Sequence, residues 1–457
     1  MSSAFAPDLF AGHRFAVVGL GKNGLAAARG LAAMGADVVA WDDKPEARAA
    51  AADVALRDPC ADRFDAEALV LSPGIPHTLP SPHPAAARAR AAGVPILSDT
   101  DLLFQAVRRS GSRARFVGIT GTNGKSTTTA LLANMLSAVG RTALAGANLG
   151  PPALSMPLLP KDGIYVLEMS SYMLERLAAL RFDVAAMLNL SKDHLDRHGD
   201  MVGYAAAKRH VFDRQSREDL AVIGVDDAGS RDMAGQLCDG PAPLVTVSGQ
   251  SPADIWCESG MLRDAAGRIV AMAEAPALPG AHNAQNAAAA AAMALQLGLS
   301  RTEIAAGIVS YPGLPHRQQH VGSVDGVVFV NDSKATNADA AERALQCYDR
   351  LVWIAGGMAK AGGIEPLVPL FPRVARALLI GRDAPLLAAT LAAHGVAHEI
   401  VGTLEAAVPA AFAAARGLDA PVVLLSPACA SWDQFTGYDQ RGDRFAALVS
   451  ALAGGTA

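Results

Sequence analysis

The chain has 457 residues, too many for one ordinary core and in the range of about three domains. Hydrophobic residues make up 51% and charged residues 18%, which excludes a disordered chain; the apolar excess is largely alanine, as at 287–292, so no run has the hydrophobicity of a membrane insertion. A net charge of −5, with no basic stripe interleaved with aromatics, excludes a general attraction for nucleic acid and leaves any anionic ligand to local chemistry.

Up to about residue 109, short β-branched runs at 15–18, 37–41, 68–71 and 94–97 alternate with alanine-rich helical stretches, which predicts a parallel sheet with crossover helices. The segment Gly19-Leu20-Gly21-Lys22-Asn23-Gly24 follows the first of these strands, and Asp42 and Asp43 end the second. That is the spacing of a Rossmann dinucleotide fingerprint, with glycines for close approach of a diphosphate and an acid for a ribose or base. A tight turn that only packs a helix on a strand would read the same way. The opening residues carry no basic segment followed by an apolar stretch, so no secretory signal is expected.

The polar stretch 108–115 reads as a linker, after which a second series begins with a strand at 116–120. The strongest signal in the chain follows it: Gly118-Ile119-Thr120-Gly121-Thr122-Asn123-Gly124-Lys125-Ser126-Thr127. Glycines in such a strand-to-helix turn let backbone N–H groups face phosphate oxygens, Lys125 reaches the terminal phosphates and Ser126 can ligate magnesium. This predicts an ATP site, with a second nucleotide-type site downstream of the first arguing against a simple dehydrogenase. Further strands are expected at 164–168, 185–190 and 220–225, then a small β excursion around 244–273 and a helix after His282. Glu168 ends its strand where a carboxylate would help hold magnesium. Asn189 to His198, containing Asp193, His194 and Asp196, also follows a strand, where polar groups belong to a site more often than to a core. Read alone, His194 is a structural histidine and Lys208, in Tyr204-Ala-Ala-Ala-Lys208, a solvated helix lysine. Only eight of 39 basic residues are lysine, however, which makes each lysine more informative than usual.

From about Gly313 a third alternating series has strands at 327–330, 351–355, 377–380 and 422–426. Leu314-Pro-His316-Arg317, Asn331-Asp332-Ser333-Lys334-Ala-Thr336-Asn337 and Ser426-Pro-Ala-Cys429-Ala-Ser431-Trp432 put small polar groups at strand ends, where a ligand can sit. Cys429 reads as a packing residue, and five cysteines without a Cys-x-x-Cys pair argue against a disulfide framework or a zinc site. A reducing cytoplasm fits this usage.

In this order, Gly-Thr-Asn-Gly-Lys-Ser-Thr, Glu-Met-Ser-Ser, Asp-His-Leu-Asp-Arg, Gly280-Ala-His282-Asn283, Leu-Pro-His-Arg, Asn-Asp-Ser-Lys-Ala-Thr-Asn and Ser-Pro-Ala-Cys-Ala-Ser resemble the Mur ligase family across essentially the whole chain. The resemblance implies an α/β fold of three domains: a Rossmann-like domain at 1–109 for a UDP-linked precursor, a central P-loop ATPase-type domain with a parallel sheet at 110–312, and a Rossmann-like amino-acid-binding domain at 313–457. It implies ATP and magnesium, in two ions, with Ser126, Glu168 and His194 magnesium-linked and Lys208 carbamylated; Lys125, Glu168, His194 and Lys208 would be the catalytic set. Asn283, Asn286, Arg317 and Asp332 would hold the adenosine of ATP beside the phosphate turn of Gly121, Thr122, Asn123, Gly124, Lys125, Ser126 and Thr127. Gly19, Leu20, Gly21, Asn23, Gly24, Asp42, Asp43, Lys44, Ser72, Pro73, Gly74, Asn148 and Ser170 would meet the UDP substrate, and Lys334, Thr336, Lys360, Ser431, Trp432 and Tyr438 the amino acid. Met173 stands where the family pattern has glutamine, and Tyr438 where it has phenylalanine.

The activity so implied is addition of D-glutamate to a UDP-linked muramoyl-alanine precursor through an acyl phosphate, by a monomer whose C-terminal domain moves to bring three small molecules together. A sister ligase with another amino acid, a folylpolyglutamate-type ligase, and a P-loop nucleotide-hydrolysing switch are the alternatives; no Asp-Asn-Pro-Arg motif, the diaminopimelate-adding pattern, is present.

Overall fold

The computed structural model describes residues 3–61, 65–360 and 362–455. The chain divides into two compact units, Met1–Ala275 with Asn283–Tyr311, and Pro276–His282 with Pro312–Ala457. The first unit holds two sheets and the second holds one.

The first sheet comprises β1 (Arg14–Val18), β2 (Asp37–Trp41), β3 (Ala68–Leu71) and β4 (Ile96–Leu97) in the order β2-β1-β3-β4, all parallel. Successive connections from β1 and β2 run in opposite directions, so the carboxyl ends of β1 and β3 border a crevice where open α/β sheets take ligands. The strand expected at 94–97 is reduced to β4, because Pro95 has no N–H for the ladder; its carbonyl still accepts from Leu69 N at 2.9 Å.

The second sheet has β5 (Arg115–Thr120), β6 (Ala143–Ala147), β7 (Ile164–Glu168), β8 (Val184–Met187), β9 (Leu220–Gly224), β10 (Leu244–Ser248), β11 (Ile255–Glu258), β12 (Met261–Asp264) and β13 (Gly267–Ala271). Their order is β13-β12-β11-β10-β9-β8-β5-β7-β6. The ladder is parallel from β6 to β11 and the last two pairings are antiparallel; β10 to β13 lie in the β excursion expected around 244–273. β7, β8 and β9 are buried throughout, the pattern of a sheet covered on both faces. β8 ends at Met187 rather than 190, and Asn189 beyond it is turned to the phosphate loop, accepting from Asn123 N at 2.8 Å and donating to Asn123 O at 3.0 Å.

The second unit is built on β14 (Gln319–Val324), β15 (Val327–Asn331), β16 (Leu351–Gly356), β17 (Val374–Ile380), β18 (His398–Gly402) and β19 (Val422–Leu425). The order is β14-β15-β19-β16-β17-β18, with only β14 antiparallel to its neighbour. One apolar layer contains Trp353, Leu379 and Phe371, and the other Phe329, Ile354 and Phe445. β14 and β18 were not expected from sequence, because edge strands are half-solvated and theirs carry His, Gln, Glu and Gly in place of an apolar run. β6, built of alanine, glycine and one leucine, was also missed for want of β-branched residues.

Candidate active site

β5 delivers the phosphate turn to the middle of the second sheet. Gly121 has φ of 147° and Gly124 of 84°, conformations that a side chain resists, and a Cβ at Gly124 would collide with Asn286 Oδ1. Lys125, first residue of the helix Lys125–Ala138, curls back so that Nζ donates to the Gly121 and Thr122 carbonyls, each at 2.8 Å. Thr122 is fixed in turn, its Oγ1 donating to Ser191 O at 3.2 Å and accepting from Ser191 N at 3.0 Å.

At the end of β7, Glu168 is 2% exposed. Ser126 Oγ donates to its Oε2 at 2.6 Å and Asn148 Nδ2 to its Oε1 at 2.5 Å. A hydroxyl and a carboxylate at the start of a P-loop helix fit magnesium, a hard cation that keeps waters and phosphate oxygens and needs few protein ligands. Among the described residues there is no group of three or more His, Cys, Asp or Glu that could by itself hold a metal ion.

Lys208 overturns its plain reading as a solvated residue: it is 1% exposed. The helix Met201–Arg209 turns it under the phosphate loop, where Nζ donates to Gly121 O at 2.8 Å and lies 4.6 Å from the Tyr204 ring centroid. Burial first, then the charge of Lys125, holds its pKa well below the ordinary lysine value against the opposing pull of Asp193 and Glu168. His194 caps the short helix Leu195–His198 with φ of 53°; its Nδ1 lies 2.7 Å from Tyr172 Oη and its Nε2 3.3 Å from Asp193 Oδ2. Burial lowers the His194 pKa, and Asp193 opposes this.

Asn283 and Asn286 occupy one face of the helix Ala281–Gln296, with Asn286 Nδ2 donating to Asn283 Oδ1 at 3.1 Å. The Asn286 amide lies directly against Gly124, where a Cβ would strike its Oδ1.

Around the first sheet, Asp42 is spent on the backbone: its Oδ2 accepts from Leu20 N at 2.7 Å and its Oδ1 from Lys44 N at 2.9 Å. It shapes the loops that carry Gly21 and Lys44. Asp43 accepts from Trp41 Nε1 at 3.3 Å and lies 3.1 Å from His83 Nε2. Ser72 Oγ donates to Gly19 O at 2.9 Å across the crevice, and Asn23 Nδ2 to Asp99 Oδ2 at 3.2 Å. Gly24 is obligatory, since a Cβ would strike the Gly19 carbonyl. Arg176, which sequence reasoning missed, is 2% exposed and donates to Leu71 O at 2.7 Å, Ser72 O at 3.0 Å and Ile75 O at 2.5 Å. Arg197 Nη1 adds a bond to Gly74 O at 3.1 Å. These two arginines bring the loop of Ser72, Pro73 and Gly74 to the turn where Ser170 Oγ accepts from Met173 N at 3.3 Å. Met173 itself is 1% exposed and belongs to the core, which is why an apolar side chain is accepted there.

In the second unit, Asp332 follows β15 and is buried, accepting from Ser426 Oγ at 2.7 Å and from Gln318 N at 3.1 Å; burial pushes its carboxyl up to about 7. Arg317 is near enough for its charge to pull the other way. Lys334 Nζ lies 3.7 Å from the Tyr438 ring centroid, a cation–π contact, and its carbonyl accepts from Thr336 N at 2.9 Å. Ser431 is buried, whereas Lys360 is exposed and Trp432 is 68% exposed. Cys429 is buried, in keeping with a packing role, and its carbonyl accepts from Arg441 Nη1 and Nη2, both at 3.1 Å.

The Mur ligase middle domain matches residues 119–294, and the Mur ligase glutamate ligase domain residues 316–429. The UDP-N-acetylmuramoylalanine–D-glutamate ligase of Paramagnetospirillum magneticum is 48% identical over 98% of this chain and 99% of its own, and that of Rhodospirillum rubrum 48% identical over 97% and 96%. The chain belongs to the Mur ligase family. Two solved Mur ligases share its fold: a UDP-N-acetylmuramate-alanine ligase from Thermotoga maritima, with TM-score 0.60, 17% identity and coverage of 96% of this chain and 99% of that one, and a MurF from Acinetobacter baumannii, with TM-score 0.55, 19% identity and coverage of 77% and 80%. In this Mur ligase no helix among the described residues is long and apolar enough to cross a membrane. Tyr172 and Arg176 escaped sequence reasoning; the one available signal was their position within a few residues of Ser170-Ser171, in a segment already marked by Glu168.

Proposed function

We propose that this Mur ligase joins D-glutamate to UDP-N-acetylmuramoyl-L-alanine, converting ATP to ADP and phosphate, as the names of its near full-length relatives suggest. The observation that carries the ATP half is the Ser126–Glu168 bond at 2.6 Å beside the Lys125 turn, a phosphoryl-transfer site in a chain that holds two further α/β sheets. A nucleotide switch has no use for those two.

In the proposed reaction a carboxylate oxygen of the precursor's alanine attacks the γ-phosphorus of ATP and ADP leaves; the glutamate amine then attacks the acyl carbon and phosphate leaves. No protein nucleophile is required, so the protein contributes position and charge. Lys125 exchanges the Gly121 and Thr122 carbonyls for phosphate oxygens. Ser126 and Glu168, with His194 and a carbamylated Lys208, would hold two magnesium ions, which supply charge neutralisation to the transferring phosphoryl group. The depressed pKa of Lys208 favours the neutral amine, which can add to CO₂ with loss of a proton to give the anionic carbamate. We assign residues 1–109 to the UDP precursor, 110–312 to ATP and 313–457 to D-glutamate, and Asn283, Asn286, Arg317 and Asp332 to the adenosine. Free cysteines at all five positions and the need for ATP suit a cytoplasmic enzyme, which we take to be monomeric.

The test supplies UDP-N-acetylmuramoyl-L-alanine and ATP, varies the amino acid and measures phosphate release. D-glutamate alone should respond; a response to another amino acid, or release independent of any, overturns the assignment.

A further inference from the structure

The ligation chemistry above makes no use of Tyr172, yet its hydroxyl oxygen lies 2.7 Å from His194 Nδ1. The phenol ring is packed by two side chains of the short helix Leu195–His198. Arg197 lies 4.4 Å from its ring centroid, and the His198 ring stacks on it at 5.6 Å and 20°. His198 is itself fixed, with Nδ1 2.9 Å from Glu175 Oε1 and Nε2 2.9 Å from Ser171 Oγ. Side chains pinned in this way keep the Tyr172 hydroxyl at His194.

On its other side, His194 Nε2 faces Asp193 Oδ2 at 3.3 Å, and the same carboxylate accepts from His194 N through Oδ1 at 3.0 Å. The tyrosine hydroxyl can donate to Nδ1 or accept from it, so the 2.7 Å contact suits either neutral tautomer of the ring. A nitrogen that carries hydrogen cannot ligate a cation. For Nε2 to offer its lone pair the hydrogen must sit on Nδ1, which then donates to the Tyr172 oxygen. A phenol can donate to Nδ1 in one tautomer and accept from it in the other; a phenyl ring can do neither.

We propose that Tyr172 is a positioning residue that holds the His194 ring and supports the tautomer presenting Nε2 to the magnesium-nucleotide complex. This rests on the reading of His194 as magnesium-linked, and the experiment separates the two. Full-length protein labelled with ¹⁵N-histidine is compared as wild type and Tyr172→Phe by NMR without metal, with His194→Ala to assign the signals. The magnesium dependence of ligation is then measured for all three. In Tyr172→Phe the His194 Nδ1 and Nε2 signals should shift, and half-maximal magnesium should rise about tenfold, in the range of lost support to a metal ligand, while KM for the UDP precursor stays within about twofold. Unchanged His194 signals or an unchanged magnesium dependence in Tyr172→Phe overturns the proposal. A His194→Ala enzyme with wild-type magnesium dependence overturns the reading of His194 beneath it.

Discussion

Arg441 grips Ser333 at two points, its Nε donating to the hydroxyl at 3.0 Å and its Nη2 to the carbonyl at 2.9 Å. Its remaining bonds reach Cys429 O at 3.1 Å and Gly356 O at 3.4 Å, so one guanidinium joins the loops that follow β15, β16 and β19. Burial lowers its pKa to about 10, which leaves it charged at neutral pH. Arg441→Met strands several buried acceptors and should cost roughly 2–4 kcal/mol. Arg441→Lys keeps the charge without the fork and should recover only part. Urea midpoints check both, and because Lys334 and Ser431 stand on the joined loops, KM for D-glutamate should rise in Arg441→Lys while KM for the UDP precursor does not.

Glu168 separates fold from chemistry. In Glu168→Gln the amide can still bond to both Ser126 Oγ and Asn148, now 2.6 and 2.5 Å from the carboxylate, so stability should stay within about 1 kcal/mol of wild type. The negative charge beside the phosphate turn is gone, and ligation should fall by about 100-fold or more. Equal losses of stability and activity would make Glu168 a structural residue.

How far such roles could be read beforehand depended on sequence distance. Gly121 to Thr127 and Glu168 were legible because a strand end and the chemistry beside it are contiguous in the chain. Lys208 was not legible from its own helix, where flanking alanines look the same whether that helix faces water or, as here, the underside of Gly121; only the family resemblance marked it. Arg441 carried no signal, since its partner Ser333 lies 108 residues away. Edge strands β14 and β18 escaped for a related reason: the ladder holding them is supplied by neighbours, not by their own apolar content.

Asp332 predicts a pH dependence of known sign. Its folded pKa, about 7, lies above the ordinary carboxylate value of 3.8, so the fold favours the protonated form. Its contribution to stability is complete below 3.8 and is lost as pH rises through about 7. Asp332→Asn, which cannot ionise, should therefore remove a decline in the urea midpoint between pH 4 and pH 7 and be the more stable protein at pH 8. A wild-type midpoint that rises across that window, with the variant tracking it, would show that Asp332 ionises freely in the fold.

Lys208 decides between a buried amine and a carbamate. As an amine it donates to Gly121 O at 2.8 Å and to Thr120 Oγ1 at 3.5 Å, which would make it a support for the phosphate turn. Any residue that propped the turn could then replace it, and no small acid would substitute. As a carbamate it would bring an anion toward the same region as Glu168, a charge that neither arginine nor an unmodified lysine can supply. Lys208→Ala should therefore lose about 100-fold or more in ligation and recover part of it when a short carboxylic acid fills the space left by the side chain, whereas Lys208→Arg should stay inactive with or without the acid. Wild-type enzyme should also lose activity in CO₂-free buffer and regain it on addition of bicarbonate. Insensitivity to CO₂, together with no response of Lys208→Ala to the acid, would leave Lys208 as a prop for the turn and remove the carbamate from the mechanism.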